Sequence, residues 1–149
     1  LDSDAAACDA AVMYLALIPD EQTTKALRAF APALPSDAHC TIIHSKALLP
    51  AGLPLPKWPP PSMRCVVAPT EGVAIFGGVV KVKVLNLRIN FELAYFRGSA
   101  EQIFLESRPS IPYSSEWAFS PHVTLGSADA QLVGEPPALL RFNRMEWRP

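Results

Sequence analysis

The chain has no excess of charge of either sign: 13 basic and 14 acidic residues give a formal net charge of -1. A protein built to grip a long duplex nucleic acid needs a basic surplus, so a duplex partner is set aside. A small anion remains open, because a few local cations suffice for it. Cysteine is scarce. Cys8, Cys40 and Cys65 are an odd number at irregular spacing, with no CxxC pair. They read as free thiols in a reducing cytoplasm rather than a disulfide framework. Long apolar runs are missing too. Val12 to Ile18 falls far short of the ~20 residues a spanning helix needs and has no basic residues ahead of it, so it reads as neither a membrane anchor nor a signal peptide. Glycine is sparse, and Gly77-Gly78 lacks the downstream Gly-Lys-Ser/Thr of a phosphate-binding loop, which leaves a turn.

What remains is a globular composition: 149 residues, 50% hydrophobic and 18% charged. That length suits one domain, residues 1–149, whose core needs neither a disulfide nor a metal. Ala11 to Ile18 (AVMYLALI) reads as a buried strand. Pro19-Asp20-Glu21 opens a helix that runs to about Phe30, with acidic residues suited to its positive end. Ala38 to His44 (AHCTIIH) is a β-branched strand. Leu49 to Pro61 carries six prolines and reads as an ordered loop. Strands are expected at Met63–Ala68, Gly72–Phe76 and Val79–Ile89, then a helix at Phe91–Ser107 broken near Gly98. A Pro- and Ser-bearing loop, a strand at Phe119–Gly126 and a short strand at Arg141–Trp147 complete the chain. Mixed strands and helices without a regular βαβ series point to the α+β class.

One echo stands out. Ala38-His39-Cys40-Thr41-Ile42 returns as Pro121-His122-Val123-Thr124-Leu125, 83 residues later. Each copy is His-x-Thr followed by an aliphatic residue. Side chains two apart on a strand face the same way, so each copy presents an imidazole and a hydroxyl to one surface. Two imidazoles around one phosphodiester are the equipment for general acid–base catalysis: a neutral ring takes a proton from the nucleophile and a protonated ring gives one to the leaving oxygen. Histidine does both near neutral pH. Threonine hydroxyls can donate to phosphate oxygens as charge moves in the transition state.

The pair His39-Cys40-Thr41 and His122-Val123-Thr124 resembles the signature of the two-histidine (2H) phosphoesterase superfamily. The resemblance covers roughly Val12 to Gly126. It implies two pseudo-symmetric lobes whose antiparallel sheets face a central cleft, with helices outside. It also implies a phosphodiesterase with no metal and no cofactor, in which His39, Thr41, His122 and Thr124 are catalytic. Within the superfamily the chain looks most like the compact phage nucleases that destroy the cyclic oligonucleotide signals of bacterial CBASS immunity. That implies a cyclic nucleotide or short oligonucleotide substrate, no membrane partner and a cytoplasmic setting, the host's if the chain is phage-encoded. Tyr14 on the first strand and Glu146 near the last sit where such enzymes place base-contacting groups, and the further aromatic expected is Trp58 or Phe76.

Plainer readings stand beside these. Tyr14 is equally a core residue, Glu146 a solvated charge, and Trp58, Trp117 and Trp147 covers for the core. A metal held by His39 and His44 is disfavoured, since five residues apart on a regular strand they face opposite ways. His44 is therefore expected at the surface, outside the chemistry. Other classes use the same motifs: an RNA-end enzyme opening 2',3'-cyclic phosphates or joining 2'–5' ends, or a non-catalytic nucleotide sponge.

Overall fold

The computed structural model describes residues 13–58, 65–115 and 118–149. Cys8, Trp117, the prolines at 59–61 and the start of the expected Met63 strand lie outside the described residues. Strand β1 (Tyr14–Pro19) leads to helix α1 (Glu21–Phe30), then β2 (Cys40–His44), β3 (Val66–Phe76), β4 (Val82–Leu87), helix α2 (Phe91–Glu106), β5 (His122–Ser127) and β6 (Leu139–Arg148). Every strand pairing is antiparallel, and the order β1-β2-β5-β4-β3-β6 closes on itself as a barrel.

This closure corrects the expected fold. The described residues form a closed six-stranded antiparallel barrel with two helices outside it, not an α+β pair of lobes facing a cleft. Three pairings merge what the sequence echo suggests are separate sheets. β2 pairs with β5 at Cys40–Val123, and the ten-residue β6 pairs with β1 on one side and β3 on the other. Each closed pairing removes a row of unsatisfied backbone groups that two open sheets would leave at their edges.

Local chemistry explains most elements. Asp20 caps α1, its carboxylate accepting from the Thr23 amide at 2.8 Å, and Asn90 caps α2 by accepting from the Leu93 amide at 3.0 Å. The helix expected to break at Gly98 is continuous, since a lone exposed Gly costs a helix only about 1 kcal/mol relative to Ala. The two strands expected at Met63–Ala68 and Gly72–Phe76 are one strand. Its register shifts between Thr70 and Gly72, where Gly72 adopts a φ of 113° that other residues avoid. The final strand is longer than expected.

The helices decide the faces of the barrel. Leu27 and Phe30 of α1 and Leu93, Phe96, Ala100 and Phe104 of α2 form one apolar cluster with Leu15, Leu17, Cys40, Ile42, Leu85, Val123, Leu125, Leu140 and Phe142 of the strands. A six-stranded barrel has no room for helices inside, so this is its outer face. The alternate side chains, including Tyr14, Ala16, Thr41, Val84, Thr124 and Glu146, belong to the inner face. Among the described residues no helix is long and apolar enough to cross a membrane.

Candidate active site

The Cys40–Val123 pairing places the two His-x-Thr motifs side by side on antiparallel strands. One residue either way in that register, His39 lies across from Thr124 and Thr41 across from His122. Directly opposed residues of an antiparallel pair share a face, so all four side chains meet on the inner face. The two histidines are diagonal neighbours, and such positions lie about 7–8 Å apart, with long side chains reaching between them. One phosphate fits that span. Cys40 and Val123, between them, are buried on the outer side. Burial pushes the Cys40 thiol up to about 12, so it stays protonated and inert.

Each imidazole is oriented in the same way. His39 Nδ1 lies 2.8 Å from the Asp37 carbonyl, and His122 Nδ1 lies 2.8 Å from the Ser120 carbonyl. A carbonyl only accepts, so Nδ1 carries the proton in both rings and Nε2 is left for proton transfer. This repeated bond to the carbonyl two residues earlier extends the sequence echo to side-chain geometry.

Aromatic rings flank both histidines. Tyr14 stacks on His39 with centroids 4.9 Å apart and 23° between planes, and Phe76 meets His122 edge-on at 4.8 Å. Glu146 lies on the inner face across from Ala16, bonded to Arg148 at 2.7 Å. The structure therefore gathers Tyr14, Phe76 and Glu146 around the motifs. It does not bring Trp58 there. That ring packs against Phe96 of α2 at 5.3 Å, on the helix side of the barrel, so the aromatic near the motifs is Phe76.

His44 is exposed, as expected, but it does not face away from the motif residues. Leu15 pairs with Ile43 but Ala16 pairs with Thr41, so Ile42 is an extra residue in β2, a β-bulge. The burial pattern agrees: Ile42 and Ile43 are both about fully buried, which simple alternation forbids. The bulge turns His44 to pair with Tyr14, on the same face as Thr41. Its ring lies 5.7 Å from that of Tyr14. Three histidines thus share one face, yet among the described residues no three His, Cys, Asp or Glu side chains are grouped to hold a metal ion.

Two arginines that the sequence did not single out complete the surroundings. Arg148 Nη1 donates to the Asp37 carbonyl at 2.8 Å, the acceptor that His39 Nδ1 also uses. Its 3.2 Å approach to His39 Nδ1 is the meeting of two donors on one oxygen, not a bond between them. Arg97 of α2 donates to the Ile42 carbonyl at 2.9 Å and the Ser114 carbonyl at 3.2 Å. It also pairs with Glu101 and lies 5.4 Å from the centre of the Phe119 ring. A pocket of about 300 Å³ is lined by Thr41, His44, Arg97, Ser114, Ser120 and His122. A larger one, about 490 Å³, lies between α1 and β6 and holds no motif residue.

The field around His39 favours its neutral form. Burial lowers its pKa most. The bond to the Asp37 carbonyl works the other way, and the charges of Arg148 and His122 lower it further. Arg148→Gln removes one of those cations. The acidic limb of the pH–rate profile for kcat/KM is then expected to move to higher pH, while Arg148→Lys leaves it near its starting point. A limb unmoved in Arg148→Gln would detach Arg148 from the titration of His39.

No protein-family model matches the chain, and no curated protein matches it in sequence. Among solved structures, the crystal structure of TT0787 of Thermus thermophilus is similar over 91% of this chain and 83% of its own, with 16% identity and a TM-score of 0.47. A likeness of that degree carries no argument about either fold or chemistry.

Proposed function

We propose that the protein is a metal-independent phosphodiesterase of the two-histidine type that opens cyclic di- or oligonucleotide messengers, as the phage anti-CBASS enzymes do. The observation that supports it most is the juxtaposition of the two His-x-Thr motifs, with both rings oriented alike by the carbonyl two residues earlier. In a 3'–5' linked ring, the ribose 2'-hydroxyl lies beside the phosphorus as a built-in nucleophile. His39, kept neutral by burial and neighbouring cations, takes the 2'-hydroxyl proton at Nε2. The 2'-oxygen bonds to phosphorus as the bond from phosphorus to the 5'-oxygen breaks. His122, entering protonated, gives its Nε2 proton to the departing 5'-oxygen. Thr41 and Thr124 donate to the non-bridging oxygens, where charge gathers. The products are an opened chain with a 2',3'-cyclic phosphate and a free 5'-hydroxyl. Holding the nucleophile in line replaces a metal-activated water by proximity.

The test is a panel of cyclic dinucleotides, cyclic trinucleotides and 2',3'-cyclic mononucleotides, read by chromatography with EDTA present. Turnover of a cyclic di- or trinucleotide is expected to survive the chelator. Loss of activity in EDTA, restored by zinc or manganese, would replace this mechanism with a metal-assisted one. Turnover of 2',3'-cyclic mononucleotides alone would favour the RNA-end enzyme. Tight binding with no turnover would favour the sponge.

A further inference from the structure

The bulge at Ile42 gives the inner face a group that the doubled motif does not include. His44 lies on the same face as Thr41 and lines the same pocket as Thr41 and His122. We propose that this pocket is a second-phosphate subsite in which His44 donates to a non-reacting phosphate one nucleotide away from the one being cut. The proposal rests on the phosphodiesterase reading and narrows its substrate to molecules with at least two phosphates.

Three features carry it. Beside the apolar Ile42, Ile43, Ala118 and Phe119, the pocket's lining includes residues able to donate: His44, Ser114, Ser120, and Thr41 shared with the reacting phosphate. Its wall is cationic. The guanidinium of Arg97 is fixed by the Ile42 and Ser114 carbonyls and backed by Phe119, so it contributes charge without having to be ordered on binding. Among the described residues the carboxylate paired with Arg97 is Glu101, which is also bonded to the Tyr113 hydroxyl at 2.7 Å and is not among the groups lining the pocket. Finally, His44 lies in a field that an anion would relieve. Partial burial lowers its pKa most and the charge of Arg97 lowers it further, so a fixed cation faces it before any ligand arrives. A 2',3'-cyclic mononucleotide has no second phosphate to place there, whereas a cyclic dinucleotide does.

The experiment compares the parent, His44→Ala and His44→Gln on a cyclic dinucleotide and on 2',3'-cyclic AMP, with circular dichroism as the check on folding. On the cyclic dinucleotide, His44→Ala is expected to raise KM about tenfold, with kcat changed less than about threefold, the effect of one lost hydrogen bond to a charged oxygen. His44→Gln, which keeps an N–H donor, should recover most of the loss. KM for 2',3'-cyclic AMP should stay the same in all three. An unchanged KM for the dinucleotide in His44→Ala would overturn the subsite. So would a fall in kcat of about a hundredfold on both substrates, which would make His44 part of the chemistry. If the parent cuts neither substrate, the phosphodiesterase reading fails by itself. The subsite is then judged by calorimetry with a 5'-phosphorylated deoxyadenylyl dinucleotide, which has two phosphates and no 2'-hydroxyl. Binding weakened about tenfold in His44→Ala supports it, and no binding to the parent overturns it.

Discussion

His39→Ala and His122→Ala are each expected to lower turnover of a cyclic dinucleotide by about 10²-fold or more, the usual scale for losing a positioned acid or base. The two rings hold equivalent places: adjacent strands, one shared face, and the same Nδ1 bond to the carbonyl two residues back. Neither reaches into the outer apolar cluster, so both variants should melt near the parent temperature. The double variant should be little worse than either single one, because an acid and a base working on one displacement act as a unit. Thr41→Ala and Thr124→Ala should cost less, on the scale of one or two hydrogen bonds to a charged oxygen. The pH–rate profile should mark the base: with His39 gone the acidic limb should vanish. Single-turnover measurements on the folded variants check this. Full activity in either single variant would dismantle the paired mechanism.

Much of the site was legible in the sequence because a strand's period is two. His-x-Thr on a strand fixes which residues share a face without knowledge of the fold. The helix starting after Asp20 was legible for a similarly local reason, an acidic cap whose bond spans three residues. What failed was non-local. An internal echo says that two segments are alike, but not whether their sheets stay apart or join. The closure through β2–β5 and both sides of β6 depends on partners far along the chain. His44 was misplaced because a bulge shifts face parity, although Ile42-Ile43, two consecutive isoleucines, was a break in alternation that could have signalled it. Trp58 is a candidate base-contacting aromatic on residue type alone, but the nearby Phe96 on α2 gives it an apolar neighbour instead. Arg97 and Arg148 carried no local signal: each acts by reaching backbone carbonyls 55 and 111 residues away.

Phe142→Ala should separate stability from chemistry. Phe142 is fully buried near the middle of β6, opposite Pro19 of β1 and Val66 of β3, where the barrel closes. Truncating such a ring removes its burial and leaves a cavity, at a cost of about 3–5 kcal/mol. Domains of this kind hold only about 5–15 kcal/mol in total, so the loss is large. At about 2–4 °C per kcal/mol for a chain of this size, the melting temperature should fall by roughly 6–20 °C. Phe142→Leu, which keeps most of the apolar volume, should fall less. The chemistry should hardly notice. Phe142 points to the helix side, whereas the histidines and threonines occupy the inner face of the same barrel. Assayed well below its melting point, Phe142→Ala should keep kcat within about threefold of the parent, far from the loss expected for a missing acid or base. Calorimetry or circular dichroism gives the melting shift, and the EDTA-containing assay gives kcat. A variant that melts like the parent but has lost turnover would mean that Phe142 reaches the reacting groups, and the assignment of inner and outer faces would have to be reversed.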